Sequence, residues 1–367
     1  MGVLRFLVAG VASVVAVLLT VPVVLVGAPF WILSSLTRSF RTLIRWMQPR
    51  EVAWTELIDF VPEVGWKNRG NVRVRVRESR SFKVSTDADG WRGSGSIGDC
   101  DLVVFGDSFA FGHGVDDLDC FQERMSGLRV KAVGVNGYNM VQQLFWIERL
   151  RDRFAGKPVM WLAFYGNDLM DNLHPNFRHY RTPFVRSSPG GEDWEIVTDH
   201  VRQEPWPFDP DPKWWGYDNK IAEVCTPSFQ SDRAYSACAF LVERAASACA
   251  EVGSPLAVVG VPDVDMLDPR RHSRLRARSS KPEAFDPGLP DRRVKEICEA
   301  LGVPFLALSD TLEVDDHLPN DCHWTPRGHR RVARVLEAFY GAVLPTTRAP
   351  APTTPDAKST KPFVEAS

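Results

Sequence analysis

The sequence predicts an α/β domain, a parallel sheet covered by helices on both faces. Two observations carry that prediction. From residue 101 onward, short apolar runs alternate with longer helical stretches, and such alternation builds βαβ units. Several of those runs end abruptly in turns that hold polar, chemistry-bearing residues, where open α/β sheets place their ligands.

The first strand is read at 101–105, and it breaks at Gly106-Asp107-Ser108. The second is read at 130–135, followed by a helix at about 140–154, and the third at 158–164. A helix over about 232–252 leads to a fourth strand at 256–261, and one at about 292–301 precedes a short fifth at 304–306. A closing helix starts at Pro326, where proline suits the first helical position, and ends near residue 340.

The flanking segments are of another kind. No charged residue occurs between Phe6 and Leu36, a run longer than the roughly 20 residues a membrane span needs. A single span is expected over about residues 6–28, so residues 1–50 are read as a membrane anchor with a juxtamembrane amphipathic helix. Arg38, Arg41, Arg45 and Arg50 follow the span and would place the domain after them in the cytoplasm. Residues 51–84 read as a polar lead-in, in which 71–78 alternates valine and arginine as a half-buried strand does. Residues 85–342 form the main domain. It is interrupted at 171–231 by an insertion or lid containing Trp194, Trp206, Trp214, Trp215 and Tyr217. It is interrupted again by a basic run at 265–290, read as a solvated loop. The tail at 343–367, rich in Pro, Thr and Ala, is read as disordered. A net charge of -2 gives no reason to expect a nucleic-acid partner, and the seven scattered cysteines form no zinc-binding pattern.

Ser108 is the candidate nucleophile, and it needs a base to take its proton. His323 is the candidate base, and Asp321 the carboxylate that would hold its tautomer. Both fall on the loop before the closing helix, at the sheet edge that carries Ser108. Acyl transfer also needs donors for an oxyanion. The Ser108 and Gly137 N–H groups and the Asn167 side chain suit that role. His329 is assigned to structure because it lies within the helix. The Asp316-His317 pair is read as a solvated turn, and His113 as a loop histidine.

These residues carry a resemblance to the SGNH/GDSL hydrolase superfamily over roughly residues 85–342. The Gly-Asp-Ser block matches Gly106-Asp107-Ser108, the oxyanion-hole glycine and asparagine match Gly137 and Asn167, and an Asp and a His lie together near the C-terminus. The resemblance implies a three-layer, flavodoxin-like fold and a serine esterase or acyl-transfer mechanism that uses no metal or other cofactor. One spacing departs from the pattern. The family's Asp-x-x-His is here Asp321-Cys322-His323, with Asn320 at the usual Asp position. Asp-x-His-Trp is similar to a variant in SGNH-like proteins that acetylate exopolysaccharides.

The expected function is hydrolysis of short acyl esters, chiefly acetyl, on a carbohydrate. An O-acetyltransferase of a polysaccharide is the alternative within the same chemistry. A catalytically silent carbohydrate-binding module is the alternative from another class, but it has no need of Ser108, Asn167 and His323 together. Anchored members of the family commonly face outward, and that side is expected here for the catalytic domain.

Overall fold

Five apolar runs pair into one parallel sheet: β1 (Leu102–Gly106), β2 (Val130–Gly134), β3 (Val159–Phe164), β4 (Leu256–Val261) and β5 (Phe305–Ala307). The structure, a computed structural model, describes residues 49–78, 80–93, 95–178, 180–188, 193–201 and 216–344. The chain divides into two units, 1–50 and 51–367, and every element named here belongs to the second. The sheet order is β2-β1-β3-β4-β5. This is the flavodoxin-like order, and it reverses between β1 and β3, so the ligand crevice lies beyond their carboxyl ends.

Residues β1 to β4 are buried along their whole length, which is why they read as continuous apolar runs rather than alternating ones. Val103, Phe105, Val133, Trp161 and Val258 face one core, together with apolar residues of α2 (Met140–Leu150), α3 (Phe229–Glu251) and α4 (Leu289–Ala300). Leu102, Val104, Ala132, Met160 and Val259 face the other. There they meet Phe109 of the short α1 (Ser108–Phe111) and Val332, Ala333 and Leu336 of α5 (Pro326–Val343). Successive residues pointing to opposite faces thus produce three layers from one sheet.

The lead-in packs against the loops at the crevice. Trp66 is fully buried and donates from Nε1 to the Asn136 carbonyl at 3.0 Å, while Asn68 Nδ2 donates to the Gly134 carbonyl at 3.0 Å. Strands Arg73–Arg77 and Ser81–Ser85 form a hairpin with Val76 buried and Arg73 and Arg77 exposed. Within the insertion, Asn176–Phe177 pairs antiparallel with Tyr180–Arg181 and Phe184–Ser187 with Trp194–Val197, ahead of a helix, Tyr217–Val224.

Two expectations are corrected. The basic run at 265–290 is built of short helices, Val264–Leu267, His272–Arg276 and Pro282–Ala284, rather than a solvated loop. Its arginines are tied down, Arg271 and Arg274 to the buried Asp265, and Arg270 to Asp268 at 2.9 Å. The Asp316-His317 pair is buried rather than a solvated turn. The Asp316 carboxylate pairs with Arg327 and Arg331, both at 3.1 Å, and so ties the loop before α5 to that helix. The expected span at 6–28, the juxtamembrane helix, Trp206, Trp214, Trp215 and the tail beyond residue 344 lie outside the described residues. Among the described residues no helix is long and apolar enough to cross a membrane.

Candidate active site

Ser108 is the first residue of α1, directly beyond β1, and is 8% exposed. Asp107 caps that helix, its Oδ1 accepting from the Phe109 N–H at 2.9 Å. Close packing of α1 over β2 depends on Gly134, where a Cβ would lie 2.3 Å from the Phe111 nitrogen.

His323 reaches Ser108 from the loop before α5. Its Nε2 lies 2.7 Å from Ser108 Oγ, and its Nδ1 lies 2.6 Å from Asp321 Oδ1. The carboxylate accepts a hydrogen bond from Nδ1–H, which leaves Nε2 free to accept from the serine hydroxyl. The loop geometry makes the short Asp-x-His spacing work. Leu318 N–H donates to the His323 carbonyl at 2.7 Å, Asp321 N–H donates to the Leu318 carbonyl at 3.2 Å, and Asn320 turns the chain with a left-handed φ of 59°. The fully buried Trp324 anchors the loop, its ring 4.7 Å from that of Phe109.

Burial lowers the proton affinity of His323, and the charge of His113 adds to this against the opposing pull of Asp321. His323 is therefore neutral near pH 7. Burial works against ionisation of Asp321, but the hydrogen bond and charge of His323 outweigh it and hold the carboxyl well below its usual range. Burial pushes the Cys322 thiol well up, so it is no competing nucleophile. His329 is buried, and burial drives its affinity down to about 3. It accepts from the Phe121 N–H at 3.2 Å, a structural bond.

Two donors, Gly137 N–H and Asn167 Nδ2, line the cavity with Ser108, whose own N–H is the third. Gly137 has a φ of 76°, and a Cβ there would meet the Phe177 ring at 2.6 Å, so only glycine fits. No hydrogen bond within the described residues takes up its N–H. Asn167 follows β3 and is 7% exposed. Its Nδ2 donates to the Tyr138 carbonyl at 3.1 Å and approaches Asp168 Oδ1 at 3.3 Å, which fixes the amide plane. Asp168 is held in turn by Phe164 N–H at 2.9 Å and Gln143 Nε2 at 3.1 Å. Burial raises its carboxyl well above the usual range, and the charge of Asp107 adds to that.

Ser108, Gly137, Asn167, Asp321 and His323 all line one cavity of about 360 Å³. Trp54, Phe177 and Tyr217 form apolar walls, and Glu78, His113 and Lys220 add polar groups. Among the described residues, the tryptophan that reaches this cavity is Trp54 of the lead-in, whereas Trp194 of the insertion packs against the core. The sequence reading missed Glu78 and underrated His113. His113 is buried, with its ring centroid 4.4 Å from that of His323. His113, Asp321 and His323 each offer a ligand atom within 4.8 Å of the others. Both nitrogens of His323 already serve Ser108 and Asp321, so a cation there would have to break that hydrogen-bonded chain.

No protein-family model and no curated protein matches the sequence. Among solved structures, the chain is similar to a member of the lipolytic G-D-S-L family from Veillonella parvula, at 12% identity and a TM-score of 0.39, covering 66% of this chain and 98% of that one. It is also similar to a carbohydrate acetylesterase family member from Sinorhizobium meliloti, at 12% identity and a TM-score of 0.38, over 66% and 98% of the two chains. A GDSL-like lipase from Bacteroides thetaiotaomicron matches at 12% identity and a TM-score of 0.36, over 66% and 88%. What this chain can do is read from its own site, in which a serine, a histidine and an aspartate form one hydrogen-bonded chain.

Proposed function

We propose that the chain is a serine esterase of the SGNH/GDSL type that cleaves short acyl esters, chiefly acetyl, from a carbohydrate. The observation that carries this reading is the Ser108–His323–Asp321 chain, at 2.7 and 2.6 Å, opening into a cavity beside Gly137 and Asn167. Ser108 Oγ attacks the ester carbonyl while His323 Nε2 takes its proton. The carbonyl oxygen becomes an oxyanion, met by the Ser108 and Gly137 N–H groups and by Asn167 Nδ2, which exchanges its longer contact to Asp168 Oδ1 at 3.3 Å for the oxyanion. Collapse breaks the bond to the alkoxy oxygen, which leaves with the proton from His323, and the acyl group stays on Ser108. Water then repeats the steps, with His323 again as base, and releases the acid.

A cavity of about 360 Å³ suits a small acyl group and part of an alcohol. The aromatic residues Trp54, Phe177 and Tyr217 that line it supply apolar surface against which a sugar ring can pack. The same reading keeps the protein on a membrane through residues 1–50, with the catalytic domain on the outer side. Protease treatment of intact cells should then digest the domain, and full protection would place it inside.

Turnover of a short chromogenic acetyl ester tests the activity, with acetylated sugars as competitors. Competition by the sugars is expected, and a folded chain with no turnover would contradict the reading. Asn167→Ala should lower kcat about 10²–10³-fold with little change in KM, because its donor matters most in the transition state. The pH profile is also fixed in sign. His323 must be neutral to act as base, so kcat/KM falls as pH drops through its titration. Because burial lowers that affinity, the acid limb should lie below the ordinary histidine value of about 6.5.

A further inference from the structure

Glu78, His113 and Asn136 come from three separate segments and meet beside His323, outside both the triad and the oxyanion donors. His113 is 6% exposed. Its Nδ1 lies 2.8 Å from the Asn136 side-chain amide, and its Nε2 faces Glu78 Oε2 at 3.3 Å. Its ring lies 4.4 Å from that of His323, tilted by 40°. The main chain around His113 is clamped by the buried Arg92, which donates to the carbonyls of Phe111, Gly112 and Val115. A buried imidazole with both nitrogens committed and its backbone held on either side cannot swing away from the base it touches.

We propose that the Glu78–His113 pair is a positioning device for the catalytic base. It holds the His323 ring against Ser108 and repels a second proton from it. Its consequence for rate rests on the esterase reading, whereas its effect on His323 belongs to the chain itself. The charged and titratable groups around it come from four elements. Glu78 comes from the lead-in hairpin, Asp107 from the turn after β1, Asp321 and His323 from the loop before α5, and Arg178, which acts on Glu78, from the insertion. Glu78 and Asp321 favour a proton on His323, and His113 opposes it. Burial works against ionisation of Glu78, yet the hydrogen bond and charge of His113 keep its carboxyl below the usual value. The pair is thus set up as a carboxylate facing an imidazole.

The test is an imidazole NMR titration of His323 in the full-length chain, wild type against His113→Phe, paired with the pH profile of kcat/KM on a short acetyl ester. The His323 titration and the acid limb should both move up by about 0.5–1 pH unit, because His113 opposes a proton on His323 and that opposition is lost. KM should stay within about twofold, as the substrate contacts remain. His113→Asn, polar and neutral, should shift in the same direction and serves if the phenylalanine variant does not fold. A His323 titration that overlays the wild type in a folded variant, or that moves down, would overturn the proposal. A shifted titration in a chain with no ester turnover would uphold it and contradict the esterase reading alone.

Discussion

Replacing Ser108 by alanine is expected to lower kcat by about 10⁴–10⁶-fold, leaving only what the oxyanion donors and binding supply. The change removes one oxygen from a residue already 92% buried by the surrounding chain, and its partner at 2.7 Å is a neutral imidazole. No charge is stranded, so the fold should survive with unchanged thermal stability to within about 1 kcal/mol. Steady-state kinetics with a thermal melt on the same sample separates the two effects. Lost turnover with an unchanged melt assigns the loss to chemistry. Residual activity near wild type would mean that Ser108 is not the nucleophile.

The second large effect is at Asp321. Asp321→Asn should lower kcat about 10⁴-fold with KM little changed, because the amide can donate to Nδ1 and stabilise the wrong tautomer. Asn320 occupies the position an Asp-x-x-His spacing would favour, but its left-handed φ of 59° makes it the turn residue, while Asp321 Oδ1 reaches His323 at 2.6 Å. Asn320→Gly, which suits that backbone, should therefore cost far less than Asp321→Asn. If the two losses were equal, the orienting role of Asp321 would be wrong. Steady-state kcat and KM for both variants decide it.

The strands were legible because four of them are buried on both faces and so appear in the sequence as unbroken apolar runs. Ser108, Gly137, Asn167 and His323 were legible because each stands at or just beyond an apolar run or a helix start, and the sheet order then brings them together. Whether Asp321 could serve His323 was not. That depends on hydrogen bonds within the turn at 318–323, which spacing alone does not reveal. Glu78 was hidden for a different reason. It directly follows an arginine-valine strand that reads as a solvated face, and it meets His113 only through folding across 35 positions. The basic run at 265–290 looked solvated because its arginines are plain in the sequence, whereas the burial of their partners Asp265 and Asp268 is not.

Covalent trapping tests the central claim most directly. The full-length chain is treated with a serine-directed fluorophosphonate, and the site of labelling is found by peptide mass mapping. The account predicts one adduct, on Ser108, formed at a rate that falls at least about 10³-fold in His323→Ala, since the hydroxyl needs its base. No adduct on the folded chain, or an adduct on another residue, would contradict it.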